Sequence, residues 1–336
     1  MNRYLDLWIA EQIGVESLTR ENLEAHQLKK LKGTVDYAVK NSRFYEEKLA
    51  DFSAASIGSF DDFHWLPFTR PDELSERGEE MVCVSAGDIS RIVTLETGGS
   101  SGIPKRIFFT EDDQELTVDF FHHGMQFLLD ERDKLLILMP YRRPGSVGDL
   151  LRRGVERLGV EVHCLGLIDE NLSFNAILDT IYKYGITSIT ALPTQAHQLM
   201  KHTTHLILET VLLSAEYVSP SVVRDLEEIW NCRVFEHYGM TEMGLGGAVS
   251  CGQGKGYHIR EGDLYIEIMD PSTGEILPDG KWGEVIFTTL NREGMPFIRY
   301  RTGDESRILN EACPCGSVLR RLDRVKNRNL KKGWLE

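Results

Sequence analysis

"ETVLLSAEYVSPSVVRDLEEIWNCRVFEHYGMTEMG", residues 209–244, decides the architecture because it sets three elements in a row. "ETVLLSA" reads as a strand, "SPSVVRDLEEIWN" as a helix and "RVFEHYG" as a second strand. The alternation extends upstream. "QELTVDFFHHGMQFLLD" is helix-like, "KLLILMP" a buried strand, "GDLLRRGVERLG" a helix and "VEVHCLG" a strand; "NAILDTIYKYG", "ITSITALP" and "PTQAHQLMKH" follow as helix, strand and helix. Strands separated by helices return parallel to one another, so the expectation is an α/β fold with mostly parallel, doubly wound sheets. From Gly256 the texture changes: "DLYIEIMDPSTGEILPDGKWGEVIFTTL" is two strands with turn residues between them, followed by "PFIRYRTGDESRIL". That predicts a smaller antiparallel β subdomain. Residues 1 to about 80 read as mainly helical, with Leu23, Leu28, Leu31, Val35, Ala38 and Val39 at helical spacing behind Thr19 as N-cap, and Met81 to Thr97 as β-rich.

Composition narrows the function classes. The 336 residues carry a net charge of -14, which argues against nucleic acid or an anionic membrane as the main partner. The N-terminus lacks the continuous apolar core of a signal peptide, the longest apolar run is too short to span a bilayer, and six cysteines make no disulfide framework in a chain this long. A cytoplasmic setting is the expectation.

Between the β-rich segment and "KRIFF" lies a glycine run, "TGGSSGIPK". It is no Walker loop, because Ile103 and Pro104 separate Gly102 from Lys105, and no Rossmann fingerprint, because a strand and not a helix follows. Thr97, Gly98, Gly99, Ser100, Ser101, Gly102 and Lys105 offer backbone N–H groups, hydroxyls and one cation that suit a polyphosphate, although a plain hairpin turn fits as well. Two later stretches break the tie: Tyr238-Gly239-Met240-Thr241-Glu242, and Tyr300-Arg301-Thr302-Gly303-Asp304.

The loop and these two elements, in this order, resemble the adenylate-forming superfamily of acyl-CoA synthetases. "FTTLNREGMPFIRYRTGD" and "CPCG" resemble its phenylacetate-CoA ligase group, and the likeness runs from about residue 30 to 328. The resemblance implies a role for each residue. The glycine loop and Lys105 would bind the β- and γ-phosphates of ATP, and Tyr238 would stack on adenine. Thr241 would bond the α-phosphate, Glu242 would bind Mg²⁺ and Asp304 would accept from both ribose hydroxyls. Ala215, Glu216 and Tyr217 match the segment whose backbone lines the adenine, and Arg328 the arginine that contacts ribose or phosphate. Singly, each residue also fits a bland reading: a core tyrosine, a capping threonine, a solvated glutamate.

Cys251, His258, Cys313 and Cys315 form a Cys₃His set of the closed, structural zinc kind, whereas Cys83, Cys164 and Cys232 read as core. The phenylacetate-CoA ligase group resembles the chain at these four positions too. The expected layout is a helical N-terminal region with the nucleotide-binding core (1–250), the antiparallel subdomain with its zinc (251–322) and a hinge remnant (323–336), without the small mobile domain that such enzymes carry. The expected reaction is Mg-ATP-dependent activation of an aryl or medium-length carboxylic acid to an acyl-adenylate, followed by transfer to coenzyme A or another thiol. The rivals are a regulatory or scaffold protein that keeps AMP or ATP binding without turnover, and a subunit that borrows its missing domain or acyl acceptor from a partner protein. A homodimer is compatible with either. The acyl pocket is expected along Phe120, Phe121, His122 and His123 and along Leu192 to His197.

Overall fold

The computed structural model of the chain describes residues 3–95, 104–168, 172–203 and 205–327. Helices α1 (Tyr4–Ile13), α2 (Arg20–Asn41), α3 (Arg43–Lys48), α4 (Phe60–His64) and α5 (Pro71–Arg77) come first. α2 starts where Thr19 predicts: the threonine side chain accepts from the Asn22 N–H while the Asn22 side chain accepts from the Thr19 N–H, a reciprocal cap. Leu23, Leu31, Val35 and Ala38 are buried beneath it, and Leu28 and Val39 pack partly buried on the same core.

Of the stretch from Met81 to Thr97, the described part, which ends at Leu95, is less β-rich than the sequence suggested. Gly78–Met81 and Ala86–Asp88 are 3₁₀ turns, the second tied by Ser85 Oγ donating to Asp88 Oδ2 at 2.6 Å. Gly and Asp favour turns and outweigh the β-branched neighbours here. Strand begins only at β1 (Arg91–Leu95), antiparallel to β2 (Lys105–Phe109).

The alternating region follows as read: α6 (Glu111–Met125), β3 (Lys134–Ile137), α7 (Val147–Glu156), β4 (Glu161–Cys164), α8 (Phe174–Tyr184), β5 (Ser188–Ala191), α9 (Pro193–His202), β6 (Thr210–Leu213), α10 (Pro220–Trp230) and β7 (Arg233–Tyr238). Then come β8 (Ala248–Val249), β9 (Tyr257–Ile259), β10 (Leu264–Met269), β11 (Gly283–Thr289), β12 (Tyr300–Ser306), β13 (Arg321–Leu322) and β14 (Lys326–Asn327). The large sheet has the order β13-β9-β8-β7-β6-β5-β3-β4, parallel from β7 to β4 and antiparallel beyond β7. A second sheet, β10-β11-β12-β14, is antiparallel throughout. The region read as one antiparallel subdomain therefore feeds strands to both sheets.

Two-residue periodicity explains why the parallel strands are apolar on both faces. Leu135 and Ile137 of β3 pack with α6 and α7 on one side, while Leu136 and Leu138 pack with α8, α9 and α10 on the other. Each such side chain contributes about 1.5–3 kcal/mol on burial. α6 and α7 touch closely because Gly154 has no Cβ: one there would lie 2.8 Å from the Val118 carbonyl and 2.9 Å from the His122 nitrogen. α6 meets β7 through the Phe120 and Phe121 rings, which lie against His237, and the motif residues lie at the carboxyl end of that strand. No helix among the described residues is long and apolar enough to cross a membrane.

Candidate active site

β7 ends at Tyr238 and the chain folds sharply back. A Cβ on Gly239 would sit 2.2 Å from the Leu245 carbonyl oxygen, so only glycine fits between the tyrosine and the turn. The turn Thr241–Met243 is 3₁₀, closed by Met243 N–H donating to the Met240 carbonyl at 3.0 Å, and it carries Glu242 into the interior. Glu242 is fully buried. Its Oε1 accepts from Lys105 Nζ at 3.2 Å and from the Tyr300 hydroxyl at 3.1 Å, while Lys105 Nζ also donates to the Tyr300 oxygen at 3.0 Å. Its Oε2 is buried without a partner among the described residues. An uncompensated carboxylate oxygen beside a single ammonium is suited to a hard cation such as Mg²⁺.

Asp304 stands next to this triad. Gly303, at φ +75°, forms a bulge in β12 and donates its N–H to Glu284 Oε1 at 3.1 Å, and Asp304 N–H donates to Thr302 Oγ1 at 3.0 Å. The Tyr238 hydroxyl then donates to Asp304 Oδ2 at 3.0 Å. Burial pushes the Asp304 carboxyl up to about 6; the Tyr238 hydrogen bond works against that shift, and the charges of Glu242 and Glu284 add to it. Burial likewise holds the Tyr238 and Tyr300 phenols neutral, well above their ordinary value.

Three distant segments thus meet: Lys105 of β2, Tyr238 to Glu242, and Tyr300 to Asp304. Thr241 and Met240 line the turn half-buried. At the end of the neighbouring β6, Ala215 adopts φ +69°, and the Glu216 carboxylate accepts from the Thr194 N–H at 3.1 Å and from its hydroxyl at 2.8 Å, capping α9. The side chain of Glu216 is occupied by that helix, which leaves its backbone and the exposed Tyr217 for a ligand. Thr97, Gly98, Gly99, Ser100, Ser101, Gly102 and Arg328 lie outside the described residues.

Of the residues expected along the acyl pocket, Phe120 and Phe121 turn toward β7, their rings 6.1 and 5.8 Å from that of His237. The histidine pair does not join them. His123 stacks on Trp8 of α1 at 5.1 Å and His122 Nδ1 lies 3.2 Å from the Gly154 carbonyl of α7, so both pack between helices. His237 itself is a residue the sequence reading missed: buried, with Nδ1 2.8 Å from Ser214 Oγ, Nε2 without a partner among the described residues and its pKa lowered by burial to about 4. Tyr300 was missed too, although the two-residue strand repeat puts it on the face of Asp304.

Cys251, His258, Cys313 and Cys315 are all buried, with their ligand atoms within 4.8 Å of one another. Cys251 and Cys313 have sulfurs 3.6 Å apart, and Cys315 Sγ lies 3.4 Å from His258 Nε2. Two thiolates at ~2.3 Å from one tetrahedral zinc would stand at nearly this separation. β9 and the segment before β13 supply His258 and the later cysteines, so an ion there would pin one end of the large sheet. Cys83 and Cys232 are buried as expected, and Cys164 is half-buried.

Comparisons with known proteins bear on the family and the fold. The family model for AMP-binding enzymes matches residues 12–291. A phenylacetate-coenzyme A ligase of Thermus thermophilus is 27% identical over 329 residues, 94% of this chain and 72% of the relative. Another from Pseudomonas putida is 28% identical over 342 residues, covering 98% and 76%. Among solved structures, 2-hydroxyisobutyryl-CoA ligase in complex with 2-HIB-AMP and CoA has the same fold, with a TM-score of 0.83 at 20% identity over 93% of this chain and 69% of that one.

Proposed function

Because the chain belongs to the AMP-binding enzyme family, we propose that it activates a carboxylic acid with Mg-ATP to an acyl-adenylate and then passes the acyl group to a thiol. In the first step a carboxylate oxygen attacks the α-phosphorus in line, the bond to the bridging oxygen breaks, and pyrophosphate leaves with the electron pair. In the second, a thiolate attacks the acyl carbon and AMP departs. Neither step needs a strong acid or base, but both need charge held in place. The observation that carries the reading is the meeting of Lys105, Glu242, Tyr300, Tyr238 and Asp304 from three segments.

The roles are those the family resemblance implies, and each suits the chemistry of its group. Asp304 accepts from the ribose hydroxyls and Tyr238 offers its ring face to adenine. Thr241 donates to the α-phosphate. Lys105 moves from Glu242 to the phosphates, and the glycine loop adds N–H donors. Mg²⁺, held by Glu242, neutralises phosphate charge when bound. The names of the ligase relatives support an aryl acid, and Phe120 and Phe121, buried against the His237 ring, would supply apolar surface on that side. The names of the two ligase relatives support coenzyme A as the acceptor. Zn²⁺ on Cys251, His258, Cys313 and Cys315 has no open position and is structural.

The test is pyrophosphate release and acyl-adenylate detection by mass spectrometry against a panel of aryl and aliphatic acids. Mg²⁺-dependent adenylate from an aryl acid is the expected result. Nucleotide binding without adenylate from any acid would replace this reading by a binding protein.

A further inference from the structure

Glu242 and Lys105 belong to separate backbone segments, and one side chain holds both. Arg292 lies in the connection between β11 and β12, buried at 8% exposure. Its Nη1 donates to the Glu242 carbonyl at 2.7 Å and its Nη2 to the Phe108 carbonyl of β2 at 3.2 Å. No carboxylate among the described residues lies within ion-pair distance of it. Asp113 is nearby, but its oxygens are taken by the Thr110, Glu293 and Gly294 N–H groups at 3.0, 2.8 and 3.0 Å. The guanidinium is faced instead by the rings of Phe109 at 4.3 Å and Phe297 at 5.3 Å. Burial without a salt bridge lowers its pKa to about 10.

A buried guanidinium with no direct ion pair, compensated only by the more distant charges of Asp113 and Glu242, is costly, and a packing residue of the same length would be apolar. What an arginine adds is a rigid fork able to span two carbonyls, which a lysine ammonium cannot do in the same geometry. The two carbonyls belong to the turn that carries Glu242 and to the strand that carries Lys105. The strand end at Tyr238 and the bulge at Asp304 receive no bond from it.

We propose that Arg292 is a positioning residue that sets the spacing between the Glu242 carboxylate and the Lys105 strand, and so governs affinity for the metal-bound triphosphate independently of adenosine. The inference rests on the nucleotide reading above. Arg292→Met and Arg292→Lys are compared with the native chain by calorimetry against adenosine and against Mg-ATP, with thermal melting to establish folding. In Arg292→Met the Kd for Mg-ATP rises by about tenfold or more while that for adenosine stays within about twofold, and Arg292→Lys falls between, keeping one carbonyl bond. A folded variant with an unchanged ratio of the two affinities overturns the proposal. So does equal loss of both ligands, or failure of both variants to fold, since each would make Arg292 a residue of the fold alone. If the native chain binds no adenosine, the nucleotide reading itself falls and takes the inference with it.

Discussion

Lowering the pH should weaken adenosine binding through Asp304. The carboxyl titrates near 6 in the free protein, about two units above an ordinary aspartate. Accepting two ribose hydroxyls requires the ionised form, so binding pulls the pKa back down and, below about pH 6, releases a proton. Affinity therefore falls as pH falls, and the Kd scales as one plus the ratio of protonated to ionised free enzyme. From about pH 7 to about pH 5 that factor grows roughly tenfold, whereas an aspartate at its ordinary value would change by less than about 10%. Adenosine is the right probe because it has no phosphate to titrate in the same window. The assay is calorimetry across the range, with Asp304→Asn as control, which should bind weakly and show no slope. A flat profile for the native chain, with binding intact, would refute the role given to Asp304. Tyr238→Phe removes the hydrogen bond that opposes the shift, and should move the midpoint to higher pH.

Glu242→Gln removes the one fully buried carboxylate of the site and leaves Lys105 without its counter-charge; Mg-ATP binding should be lost while adenosine still binds, checked in the same calorimeter. Gly239→Ala places a methyl group 2.2 Å from the Leu245 oxygen, and overpacking of this kind costs about 1–3 kcal/mol, read as a lowered melting temperature together with lost nucleotide binding. Cys315→Ser should lower the zinc content found by elemental mass spectrometry and destabilise the chain by several kcal/mol, toward the ~10 of isolated zinc peptides. Ala215→Gly relieves a left-handed residue and should stabilise the chain by about 0.5–1 kcal/mol, read as a slightly raised melting temperature.

The alternating elements from α6 to β7 were legible because their signals are local: period, length and flanking turn residues. The N-cap at Thr19 was legible for the same reason, though not its reciprocal bond with Asn22. Strands of two or three residues such as β8, β9 and β13 have no period to detect, which is why the antiparallel extension of the large sheet was not foreseen. The motif residues could be read as a set, but the pairing of Tyr238 with Asp304 and of Lys105 with Glu242 depends on which strands come together. Arg292 illustrates the limit best. It bonds to carbonyls that every residue possesses, so no partner residue type marks it in the sequence. His122 and His123 were expected along the acyl pocket because they follow Phe120 and Phe121 on one helix, but the faces they occupy pack against α1 and α7.

The Lys105–Glu242 pair has a consequence for the order in which ligands arrive. Lys105 engages Oε1 of Glu242 while Oε2 stays free, so a bare metal ion on Oε2 would share one buried carboxylate with an ammonium and meet its repulsion. A metal that comes chelated to a polyphosphate brings that lysine a new anion in the same event. A site of this kind would discriminate against free divalent ions and would load metal and nucleotide as one unit.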